Sequence, residues 1–387
     1  MIDFVAEAEA LRDELIARRR DFHQHPELGF EEFRTAGIVA EVLSALDIEV
    51  QTGIAKTGVV GILEGAKDGP TILVRADMDA LPIHEENATD YISTVPGKMH
   101  ACGHDAHTAI GLGVAKVLAK HRDKLAGRVK FVFQPGEEGH GGAEAMIKEG
   151  VLENPRPDVS LGLHVWNTSP VGSFGVVDGP VMAGASTVEI TINGKGAHGA
   201  LPQEGHDPVI CAAQLVTALQ TIVSRNVHPL DTAVLSITYI QAGTTHNVIP
   251  AQAEIQGTLR AFNLETRDYM VKRIEELSQA IAQGMNCTAE VRVGHITEPV
   301  INDAAVGDVV RGALAKILPD APLDNDVQTM GGEDFCFFMK DIPSTFFFVG
   351  SANSERGLDY GHHHPRFDID EDSLPLGVAL MSAAVAE

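Results

Sequence analysis

A chain of 387 residues exceeds what one simple core organises, and 44% hydrophobic content is that of a globular protein, so two domains are expected. Its 54 acidic against 29 basic residues give a net charge of −25, which opposes phosphate backbones and anionic lipid surfaces; neither nucleic acid nor a membrane is an expected partner. No apolar run reads as approaching the ~20 residues that span a bilayer, no basic, apolar leader opens the chain, and Cys102, Cys211, Cys287 and Cys336 lack a disulfide framework, so a cytoplasmic protein is expected.

In chain order, Arg18, Arg19 and Arg20 form the one dense charge run and read as the solvated face of an N-terminal helix. Short apolar runs at 58–63, 71–75, 129–133, 159–163 and 345–349, the last holding Phe346, Phe347 and Phe348, read as buried strands of a mainly parallel sheet. Between them, 106–120 places Ile110, Val114, Val117 and Leu118 on one helix face, and 142–148 reads as a second helix. This alternation predicts an α/β fold, a mainly parallel mixed sheet with helices on both faces, built from residues 1–180 and 295–387. The stretch 181–294 differs: strand 187–192, helix 208–223, strands 233–241 and 253–260, helix 265–283 and strand 288–293 spell βαββαβ, an inserted ferredoxin-like α+β domain.

The densest chemistry lies at His100, Cys102, His104 and Asp105, preceded by Asp77 and Asp79 and followed by Glu137 and Glu138. A thiolate, imidazoles and carboxylates together favour a borderline divalent metal over calcium or magnesium. In a parallel sheet, ligands gather beyond the carboxyl ends of strands. Asp77 and Asp79 follow one strand, Glu137 and Glu138 another, His164 ends a third, and the triplet His362, His363, His364 lies a loop beyond a fourth, so all can meet on one rim. Two readings from other classes stand beside a metal-dependent enzyme. One is a thiol hydrolase with Cys102 as nucleophile, which leaves the Glu pair, His164 and His363 without a task. The other is a silent metal-binding protein, which gives Glu137 no task.

These motifs resemble the M20 metallopeptidases: Arg75, Asp77, Asp79 and Pro82; Cys102, His104 and His107; the Glu137–Glu138 pair behind a Gln-Pro-Gly turn; His164 with Trp166; and His363 two before Pro365. More narrowly they resemble the amidohydrolase branch with a Cys ligand, which acts on N-acyl amino acids, hippurate and auxin conjugates, and the resemblance runs from His23 and His25 to the end of the chain. It implies a zinc-peptidase-like catalytic domain with an inserted lid and dimerisation domain. It implies two divalent ions (Zn, Mn, Co or Ni) held by Cys102, His104, Glu138, His164 and His363, with the Cys102 sulfur as bridge and Glu137 as general base. His363 is chosen within its triplet because the family places its ligand two before the Pro. Asp79 is implied to orient a ligand, and His198 to stabilise the oxyanion, in its own or a neighbouring subunit. Asn247 and Arg260 are implied to grip the polar groups or carboxylate of a substrate.

The expected reaction is hydrolysis of the amide of an N-acyl amino acid or short peptide by a homodimer or higher homo-oligomer. A carboxypeptidase, dipeptidase or N-acetyl-diaminopimelate deacetylase of the same family is the alternative. Four further readings are bland: His23 and His25 anchor the N-terminal helix, His107 supports a ligand, the turn from Gly331 to Phe335 is a wall, and three cysteines only pack. His140 could face solvent or add a donor near the site.

Overall fold

A computed structural model describes residues 2–387 and divides them into two compact units, 2–179 with Ile301–Val327 and Asp334–Glu387, and Pro180–Val300 with Gln328–Glu333. In the first unit, eight strands form one mixed sheet. Its centre is parallel, with Lys67–Asp77 between Ala126–Gln134 and Val159–Pro170, and Ser344–Ala352 beyond the latter. Antiparallel Gly58–Glu64 and Glu49–Ile54 extend one side, and the short strands Phe174–Gly175 and Leu323–Asp324 close the other. Gly58–Glu64 is the 58–63 apolar run, whereas Glu49–Ile54, Phe174–Gly175 and Leu323–Asp324 are too short or too polar to register as apolar runs. Glu49–Ile54 exposes most of its residues and buries Ile54, which is what an edge permits.

The helix His104–Lys120 is buried over nearly its whole length, packed with Arg12–Gln24, Ser373–Ala386 and the Lys67–Asp77 strand. Such burial needs close approach: a Cβ on Gly113 would come within 2.8 Å of both Val378 and Leu15. The Phe346, Phe347 and Phe348 side chains are fully buried in the Ser344–Ala352 strand.

Arg19 corrects the reading of the Arg run. It is fully buried: its Nε donates to Asp105 Oδ2 at 2.8 Å and its Nη2 to Asp368 Oδ1 at 2.8 Å. Arg18 and Arg20 keep partial exposure, because successive residues on a helix point about 100° apart and only one of three can face the core.

The second unit is a four-stranded antiparallel sheet in the order Ala233–Ala242, Gln252–Ala261, Gly184–Asn193, Thr288–Thr297. Helices Pro208–Thr221 and Leu264–Gly284 pack on it, with Leu215, Leu219, Met270 and Ile274 buried against Val188, Ile190 and Ile255. This is the ferredoxin-like order. The apolar-run expectation is corrected here: Pro208–Asn226, 19 residues, is long and apolar enough to match a membrane span by composition. In this unit its apolar side packs against the sheet. Cys211 and Cys287 are buried in the same core, and Cys336 is buried in the first unit.

Candidate active site

The parallel strands deliver their carboxyl ends to one side. Lys67–Asp77 pairs with Val159–Pro170 only as far as Arg75 and Gly162, so the second strand runs on past the pairing. His164 therefore sits inside a strand that continues to Pro170, not at its end as the apolar run suggested. Gly103 holds the loop before the His104–Lys120 helix against this strand. Its φ is 96°, and a Cβ there would stand 2.4 Å from Val165. Only glycine meets both demands, and it brings Cys102 Sγ to 3.5 Å from His164 Nε2.

Each imidazole is turned by its other nitrogen. His104 Nδ1 donates to the Asp79 carbonyl at 2.9 Å, with the Asp79 carboxylate at 3.3 Å, which leaves Nε2 as a lone pair. That Nε2 lies 3.6 Å from Asp77 and 4.0 Å from Glu138. His164 Nδ1 donates to the Val165 carbonyl at 2.7 Å, again leaving Nε2 bare. Within the triplet, His362 accepts from the Asn167 amide and lies beside Trp166 and Phe367, and His364 stacks on Tyr360. His363, in the left-handed region at φ 66°, is the one whose Nε2 reaches Glu138, at 3.1 Å.

Three of the triads whose ligand-type atoms lie within 4.8 Å of one another are built only from the expected ligands and Glu137: Cys102, His104 and His164; Cys102, Glu138 and His363; His104, Glu137 and Glu138. Cys102 belongs to two of them. His104 Nε2 and Glu138 Oε1 are buried with no hydrogen bond, so lone pairs converge on lone pairs, an arrangement that fits a cation. The electrostatics agree. Burial alone would depress His104, but Asp77, Asp79 and Glu138 outweigh it and lift the imidazole to about 10. Burial, then Glu138, Glu137 and Asp77, push the Cys102 thiol well up, while burial and neighbouring imidazoles hold His164 well below its usual range. Without a cation, the anionic pocket draws protons onto His104 and Cys102.

Residues 73–387 match Peptidase family M20/M25/M40. The chain belongs to that family. Among relatives of this M20 hydrolase, the N-acetyl-L-cysteine deacetylase of Bacillus subtilis is 40% identical over 368 residues, 94% of this chain and 85% of the relative. Thermostable carboxypeptidase 1 of Saccharolobus solfataricus is 38% identical over 380 residues, 97% and 95% of the two chains. A dinuclear metal binding M20 peptidase of Bacillus subtilis superposes with a TM-score of 0.86 at 36% identity, covering 98% of both chains.

In this M20 chain, Glu137 Oε1 accepts from the Asp334 amide at 3.3 Å, and Asp79 Oδ2 accepts from the Glu138 amide at 3.0 Å. His107 spends both nitrogens, on Asp77 at 2.6 Å and on the Val165 amide at 2.9 Å, which orients Asp77 and leaves no lone pair for a cation. His140 packs edge-on against Phe30. His198, Asn247 and Arg260 belong to the second unit. His198 lies on a two-residue strand opposite Val248, exposed, with its Nδ1 accepting from the Ala200 amide at 3.0 Å, so Nε2 carries the proton. Asn247 is next to that strand pair and exposed. Arg260 is half-buried beside Gly332 and donates to Thr258, with no carboxylate partner among the described residues.

Sequence reasoning missed the buried supports. Asp334, read as part of a wall, pairs with Arg75, and its oxygens accept from the Gln134 side-chain Nε2 and from the Ala143 amide. Asp105 takes Arg19 and also His23, which reaches on to Glu85. Asp105 adjoins His104 in the sequence, whereas Asp334 is remote in the chain from every expected ligand and had no local sign of its role.

Proposed function

We propose that this protein hydrolyses the amide bond of N-acyl amino acids, with Glu137 as general base beside two divalent ions held by Cys102, His104, Glu138, His164 and His363. The observation that carries this reading is the Cys102 sulfur shared between two triads with Glu137 at their margin. When bound, the ions supply Lewis acidity that polarises the scissile carbonyl and acidifies water, and Zn, Mn, Co and Ni all suit this donor set.

The protein's own groups supply the rest. Glu138 faces His363 and His104, whereas Glu137 is oriented by the Asp334 amide, so the two carboxylates have different tasks. Glu137 takes a proton from the attacking water and returns it to the amine nitrogen as the C–N bond breaks. His198, with its Nε2–H outward, has the form of an oxyanion donor. Arg260, a half-buried guanidinium without an acidic partner among the described residues, is suited to a substrate carboxylate, and Asn247 to a neighbouring polar group. The thiol-nucleophile reading loses support, since the Cys102 thiol is pushed up and its neighbour His164 is too weak a base to ionise it.

Glu137→Ala is expected to keep its bound metal and lose roughly 100-fold or more in kcat. Hydrolysis near the wild-type rate sinks the mechanism. The relatives include both a deacetylase and a carboxypeptidase, so substrate class is read from a panel of N-acetyl, N-benzoyl and dipeptide substrates. The panel is run on chelator-stripped protein with single metals restored. Preference for dipeptides favours the carboxypeptidase reading, and activity indifferent to metal overturns both.

A further inference from the structure

Glu32 stands at the start of the Phe33–Ala45 helix, where an acidic side chain ordinarily caps the first turn or faces water. It does neither. Its side chain makes no capping bond, and the free amides of Arg34 and Thr35 are taken by the Glu27 carboxylate at 2.9 and 2.8 Å. Glu32 is instead fully buried, and its oxygens are divided between two donors. The Thr57 hydroxyl donates to Oε2 at 2.6 Å and the Gly136 amide to Oε1 at 2.9 Å. Thr57 is brought inward by the tight turn at Ala55 and Lys56, both left-handed at φ 47° and 76°.

Gly136 is the residue before Glu137 and is itself left-handed at φ 59°. On the far side of Glu137, the Glu138 amide donates to Asp79 at 3.0 Å. The peptide that follows Glu137 is therefore tied to a buried carboxylate from the Asp79 loop, and the Pro135–Gly136 peptide, one before the link into Glu137, to a buried carboxylate from the N-terminal region. Burying a carboxyl is costly, and burial pushes Glu32 above its usual range. Capping gives no reason for that cost at this position; the Gly136 turn does.

We propose that Glu32 is a positioning residue for Glu137. By accepting from the Gly136 amide it anchors the Pro135–Gly136 peptide, and with it the left-handed Gly136 turn that leads into Glu137, and so restrains where the carboxylate points. It touches neither ion nor substrate. The inference rests on Glu137 as general base.

The test compares wild type, Glu32→Ala, Glu32→Gln, Thr57→Val and Glu137→Ala as metal-loaded full-length proteins with the fastest substrate of the panel. Bound metal is measured by elemental analysis, together with kcat, KM and melting. Glu32→Ala is expected to hold wild-type metal and a KM within about twofold while kcat drops roughly 10- to 100-fold, the scale of a misplaced catalytic group. Gln offers one oxygen to Gly136 and an amide to the Thr57 hydroxyl, so Glu32→Gln recovers kcat to within about threefold of wild type. A folded Glu32→Ala with wild-type kcat overturns the proposal, as does loss of metal, a change confined to KM, or Gln no better than Ala. If Glu32→Ala fails to fold, Thr57→Val decides: a loss of about 3- to 10-fold in kcat alone supports the proposal and an unchanged kcat overturns it. Active Glu137→Ala would remove the underlying reading; inactive Glu137→Ala beside fully active Glu32→Ala would remove only this one.

Discussion

Arg19 shows how far a single residue's role can lie from its local pattern. Its guanidinium joins Asp105 and Asp368, and Asp105 also binds His23 at 2.7 Å, which reaches Glu85 at 3.0 Å. Arg19, His23, Asp105 and Asp368 are buried and Glu85 is half-buried, so removing one charge strands the others. Arg19→Met is expected to destabilise the protein by about 3–5 kcal/mol in urea unfolding, and a loss under 1 kcal/mol would mean the network is dispensable. His23 carries a pH signature. Burial and Arg19 oppose its charge, but Asp105 and Glu85 prevail and lift it from 6.5 to about 9. Its stabilisation is therefore complete below pH 6.5 and fades as pH rises through about 9. The stability gap between wild type and His23→Gln should shrink from pH 6 to pH 9.5; a constant gap would refute the charged imidazole.

At the level of elements, the loop and helix after Met99 decide the site. The helix begins at His104, two residues before the apolar spacing places it, because its first turn spends polar side chains on the pocket and not on the core. Gly103 sets that junction. Gly103→Ala must adopt φ near 96° and push Val165, so a loss of about 1–3 kcal/mol is expected. Because Cys102 and His104 flank it, metal affinity should fall with stability, read by competition with a chelating dye. Unchanged affinity would show that the loop tolerates the shift. The central strands were legible from their apolar runs, whereas the extent of Val159–Pro170 was not. Its last residues are held by Ser344–Ala352, a partner that no local pattern announces.

For the whole molecule, each triad built from Cys102, His104, His164, Glu138, His363 and Glu137 lies within the first unit. Metal should therefore stabilise that unit and not the other. A free ion at 100 times its dissociation constant contributes about 2.7 kcal/mol to the state that binds it. Calorimetry of the full chain should show melting raised by metal, while an excised 180–300 segment, which has its own buried core, should melt at the same temperature with or without it. A metal-dependent melt of that segment would count against this assignment. The segment 328–333 groups with the second unit although it lies far along the chain, so strand and helix order alone did not mark it.

The sequence by itself determined the chemistry and the layers. Donor type is a property of single residues, and apolar periodicity is a property of short windows, so Cys102, His104, the Glu137–Glu138 pair and the βαββαβ stretch were all legible. Only the tertiary structure decided which donors share a sulfur, which histidine of a triplet reaches Glu138, and which charges go inside. Those questions depend on neighbours remote in the chain: Arg19 meets Asp105 across 86 positions and Asp368 across 349, and Glu32 meets Gly136 across 104. Burial and pairing are settled by what packs against a side chain, and local sequence carries no record of that.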